Sequence, residues 1–165
     1  MDHEVITSQI RAALQMLRSM IEACPDDLWN RPSDSNPTWA LAYHAIYFAH
    51  LYLSPSEESF EPFGHACAGR EGFGRTDLDD WTRLGPDDVY SVDDVLAYLE
   101  HVDGRVADLV RAVPLDGPSG FQWLPFTKEE AHLYNLRHIQ HHAGGLIERL
   151  RQAANRGVRW AFGVR

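Results

Sequence analysis

Lysine is almost missing from this chain: Lys128 is the only one in 165 residues, and arginine supplies the remaining positive charge. Cysteine is scarce too. Cys24 and Cys67 are too few for a disulfide framework, which points to reduced thiols. Fifteen basic residues stand against 24 acidic ones, a formal net charge of −9, and the pI is about 5.4. Nucleic-acid readers carry a basic face and a high pI, so no nucleic-acid partner is expected. Long apolar runs are also lacking. The longest, Trp39 to Leu53, has 15 residues and contains two histidines, too short and too polar to cross a bilayer. The opening Met1-Asp2-His3-Glu4 is acidic and no apolar h-region follows, so the expectation is a cytoplasmic protein with no membrane partner.

No stretch alternates apolar and polar residues as a strand does, whereas four stretches follow the helical period. Ile6, Ile10, Ala13, Leu14, Leu17, Ile21 and Cys24 form one stripe, ended by Pro25. A loop, Asp26 to Asn36, precedes a second helix with Asn36 as cap and Pro37 in its first position. That helix runs to about Leu53. It is apolar nearly all round and should be the most buried element. Ser91 and Asp94 make a capping box for a third helix, with Val95, Leu99, Val102, Val106, Leu109 and Val113 as its stripe. Thr127 and Glu130 open a fourth, which runs to about Ala154 and contains Gly144-Gly145, there for close packing or simply tolerated. The fold expected is all-α: a four-helix bundle with a long crossover between helices 2 and 3, one domain over residues 1–165.

The crossover, residues 54–90, lacks strong periodicity; Thr76 to Leu84 reads as a short helix, with Phe60, Phe63, Phe73 and Trp81 to bury. The loop Pro114 to Phe126 carries Phe121, Trp123 and Phe126. Charge is uneven. Residues 57–108 hold 14 acids against four arginines, and after Glu148 there are five arginines and no acid. Either these are solvated faces or a basic tail meets the acidic middle of a partner.

Nine histidines fall in this sequence. His138 and His142 are one helical turn apart, the spacing with which a helix clamps a metal. At about 100° per residue, the apolar arc of Leu136, Ile139, Ala143, Leu146, Ile147 and Leu150 centres about 120° from His138. His142 leans toward that arc, and His141 points away into solvent. On the second helix, His44 and His50 are about 120° apart, so only one can share a site with the fourth helix. His44 has the more apolar surround, with Ala40, Leu41, Phe48 and Leu51. His132 reads as an end-of-bundle packing residue. His3 and His101 show no partner pattern, and His65-Ala66-Cys67 has no second ligand pair to complete it.

Trp39-Ala40-Leu41-Ala42-Tyr43-His44, together with Asn135-Leu136-Arg137-His138-Ile139-Gln140-His141-His142-Ala143-Gly144, resembles the DinB-like (YfiT-type) bundle superfamily. Helix order, crossover and late His-x-x-x-His extend the resemblance over nearly the whole chain. It implies a four-helix bundle, often a homodimer, that holds a divalent metal (Zn, Ni or Fe) through His44, His138 and His142. It also implies a small-molecule ligand, with a low-molecular-weight thiol as cosubstrate. Gly145 stands where the family often has Gln. Three functions remain open at this point: a metal-dependent enzyme of thiol-transferase, isomerase or hydrolase type; a non-catalytic metal or small-ligand binder in a stress response; and a structural bundle with hydrogen-bonded histidines. Imidazoles bind metal only when neutral, so occupancy is expected to fall below about pH 6.

Overall fold

The computed structural model describes residues 2–64 and 89–164. The expected helix Thr76 to Leu84, the rings of Phe73 and Trp81, and the His65-Ala66-Cys67 pair lie outside the described residues. Those described are all-α: α1 (His3–Ala23), α2 (Asp26–Trp29), α3 (Thr38–Leu53), α4 (Val92–Arg111) and α5 (Lys128–Ala154), with one isolated bridge, Pro118 to Thr127, and no strand.

Each terminus has a local cause. Asp2 accepts from Glu4 N to start α1. Pro25 ends α1 and opens α2, where Asp26 and Asp27 suit the positive end of a helix. This single turn lies inside what the sequence reads as a loop. α3 is capped by Pro37 itself, with no side-chain cap bond, so Asn36 is not the cap. The Ser91–Asp94 capping box forms as expected, and Thr127 Oγ1 accepts from Glu130 N. α4 stops at Arg111, which leaves Val113 outside the helix.

α1 packs on α4 and α5, and α3 packs on the same two. Tyr43 meets Tyr90 and Tyr98, and His50 meets His101, so α3 and α4 run parallel. His44 meets His142 while Tyr52 meets Tyr134, so α3 and α5 run antiparallel. The four stripes share one core that includes Ile10, Leu14, Leu17, Ile46, Leu99, Val102, Ile139 and Leu146. α3 is the most buried helix, with 12 of its 16 residues inside. Its mates leave it only a narrow wet face, and that face carries His44.

A smaller apolar cluster, Leu51, Tyr52, Phe121 and Leu124, joins the end of α3 to the loop before α5. Gly120 makes this contact possible. Its φ is +88°, and a Cβ there would stand 2.0 Å from the Pro55 carbonyl oxygen. Lys128 locks the same corner. It is fully buried, and its Nζ donates to the carbonyls of Tyr52, Ser54 and Ser119. Two of these lie at the C-terminus of α3, where carbonyls lack helical partners and a cation is favoured.

Two alternatives left open by the sequence are narrowed here. A Cβ on Gly144 or Gly145 would meet nothing within 4 Å, so neither glycine serves a close approach. The late arginines are also largely engaged at home: Arg149 with Asp34 and the Asn36 carbonyl, Arg151 with Glu148, Arg156 with the Ala23 carbonyl.

Candidate metal centre

The antiparallel α3–α5 seam brings His44 level with the turn that holds His138 and His142. Their ligand nitrogens all lie within 4.8 Å of one another, and each side chain is half-buried. His44 Nε2 is 3.1 Å from His138 Nε2. Two imidazoles on one tetrahedral ion, at about 2.05 Å each, would place their nitrogens about 3.3 Å apart. That edge of the triangle is close to the spacing an ion would need.

Phe48 and Tyr52, one and two turns beyond His44, wall the site. Phe48 packs 4.6 Å from the His44 ring and 5.7 Å from His138, and Tyr52 stands edge-on to His138 at 6.1 Å. Burial has a direct electrostatic consequence. It lowers the pKa of His138 to about 4, with His44 and His141 adding repulsion. His142 falls to about 3, from burial first and then its neighbours His138, His44 and His141. Burial therefore keeps both rings neutral at neutral pH. The donor set fits a divalent ion: three imidazoles, two of them held neutral by burial, converge from two helices. His138 Nδ1 and Asn135 Oδ1 are buried without partners on the same helix, while Asn135 Nδ2 donates to the Ala49 carbonyl and so ties α5 to α3.

The other histidines separate as the helical angles require. His141 is exposed on the outer face of α5. His50 is 1% exposed and points to α4, away from His44. There the sequence reading missed a second polar cluster. His50 Nδ1 is 3.2 Å from the Tyr98 hydroxyl, and Arg105 Nη1 lies 3.2 Å from His50 Nε2 and 3.3 Å from His101 Nε2. A guanidinium only donates, so both imidazoles accept through Nε2 and are neutral. Tyr98, His101 and Arg105 recur at helical spacing on α4, and that was the available signal. His132 packs at the end of the core as expected, buried with neither ring nitrogen partnered. Cys24 is no nucleophile: burial, reinforced by Asp27, raises its thiol to about 11.

A family model described as the DinB superfamily matches residues 9–146, which include all three histidines and most of every long helix. The chain belongs to the DinB superfamily. No curated protein and no solved structure matches it significantly. None of the described helices is long and apolar enough to cross a membrane.

Proposed function

We propose that this chain is a divalent-metal-binding helical bundle and that His44, His138 and His142 are its metal ligands. The observation that carries the reading is the convergence of three half-buried imidazoles, two of them held neutral by burial, at one point between α3 and α5. We read the architecture as a four-helix bundle, one domain over residues 1–165, with the long crossover between α3 and α4. Three protein ligands leave a coordination position open, which is the pattern of catalytic rather than closed structural sites. A bound divalent ion would supply Lewis acidity, turning a thiol into thiolate or water into hydroxide near neutral pH.

The chain's own residues do the rest. The neutral rings of His138 and His142 present lone pairs without first losing a proton. Phe48 and Tyr52 keep water from one side. Cys24 does not supply the nucleophile, because it stays protonated and lies at the far end of α1. The reaction class we favour is thiol transfer, isomerisation or hydrolysis on a small molecule, in the cytoplasm. We also propose a homodimer. The apolar residues left for a second copy to cover include Val5, Trp160 and Phe162, where the chain's C-terminal segment crosses α1.

Metal-loaded protein offered low-molecular-weight thiols and electrophiles should turn over, and metal-free protein should not. A loaded protein that forms no thiol adduct and turns over no substrate leaves the second reading, a non-catalytic metal or small-ligand binder. That reading draws on the same histidine convergence.

A further inference from the structure

A surface cavity of about 510 Å³ opens beside the proposed centre, lined by Tyr134, Arg137, His138, Gln140 and His141. His138 is thus shared between the metal cluster and the cavity wall. Among the described residues no acidic one lines this cavity, although the chain carries nine more negative charges than positive ones. Among the described residues Arg137 is its one permanent cation, and it makes no hydrogen bond or ion pair with any other of them. Other arginines differ: Arg11 pairs with Asp103, Arg31 with Asp34 and Arg151 with Glu148. An unpaired guanidinium has its whole donor fork free, and that fork matches a carboxylate bidentately. Tyr134 and Gln140 add neutral polar groups to the same wall.

We propose that this cavity selects small molecules carrying a carboxylate a few bonds from their metal-binding group, and that Arg137 reads the carboxylate. The inference rests on the metal reading of His44, His138 and His142. Arg137 and His138 point about 100° apart on α5 but line the same cavity, so a ligand that reaches His138 from this side meets the long Arg137 side chain on the way. Gln140, at i+3 from Arg137, lies on the far rim of the cavity, its Nε2 turned toward Met16 Sδ of α1.

The test uses cobalt(II)-loaded protein and two thiols of equal length, 3-mercaptopropionate and 3-mercaptopropanol. Binding is followed by the thiolate-to-cobalt charge-transfer absorbance. Wild type should bind the carboxylate at least about 10-fold more tightly than the alcohol, the size expected of one charge-assisted pair. Arg137→Gln should reduce that preference to within about 2-fold and leave alcohol binding unchanged, while Arg137→Lys should keep part of it. Equal affinity of the two thiols for wild type, or an Arg137→Gln variant that weakens both alike, overturns the role of Arg137 while the metal reading stands. Failure of wild type to take up cobalt overturns the metal reading, and this inference with it.

Discussion

His44 Nε2 and His138 Nε2 stand 3.1 Å apart across the seam between α3 and α5, although 94 residues separate them in sequence. Nothing local brings them together. Ile46, Ile139 and Ala143, buried in the common core, fix how the two helices lie on each other, and the rings follow. The stability of the site is therefore the stability of that core.

Leu99 is 1% exposed on α4, within the shared core. Leu99→Ala should cost about 2–5 kcal/mol from lost burial and the cavity left behind. His141→Ala, on an exposed face, should cost under about 1 kcal/mol. Urea unfolding of both variants checks the contrast; equal losses would mean that the assigned faces of α4 or α5 are wrong.

Lys128 is the chain's sole lysine and is completely buried. Burial lowers its pKa to about 8, which leaves it mostly charged at neutral pH, with three carbonyls as acceptors. Lys128→Met should cost at least about 2 kcal/mol, because it strands those buried carbonyls. A loss below about 0.5 kcal/mol in chemical denaturation would contradict this clamp.

His132 gives a pH signature independent of metal. Burial lowers its pKa from 6.5 to about 4, with Lys128 and His3 adding repulsion. The unfolded chain therefore binds more protons between these values. Stability is full above about pH 6.5 and falls toward pH 4 by about 1.4 kcal/mol per pH unit from this group. His132→Leu, measured with chelator present, should flatten the curve by that amount. An unchanged slope would show that His132 is not buried as a neutral base.

Most of the helices were legible because their stripes repeat with a clear period and end at Pro25, Ser54-Pro55 or a capping serine or threonine. That only one of His44 and His50 can face α5, and that His141 points away from His142's side, followed from 100° steps because both helices are regular; the choice of His44 came from its apolar surround. Other features resisted for physical reasons. α2 is a single turn, too short to show a period. The role of Lys128 depends on where a flexible side chain ends, though a lysine beside the positive end of a helix was itself an anomaly. The His50–Tyr98–His101–Arg105 cluster required knowing that α3 and α4 run parallel. The depressed pKa values of His138 and His142 required their burial. Leu136, placed by angle with the core, is only half-buried because it sits at the edge of the apolar arc.

Metal content of untagged protein tests the central claim most directly, since a nickel column could load the site. Elemental analysis should find about one divalent ion per chain in wild type, and the same in His50→Ala and His141→Ala. The triple variant His44→Ala/His138→Ala/His142→Ala should hold none, and should lose the thermal stabilisation that added metal gives wild type. Stoichiometric metal in the triple variant, or its loss from either single-site control, would contradict the assignment.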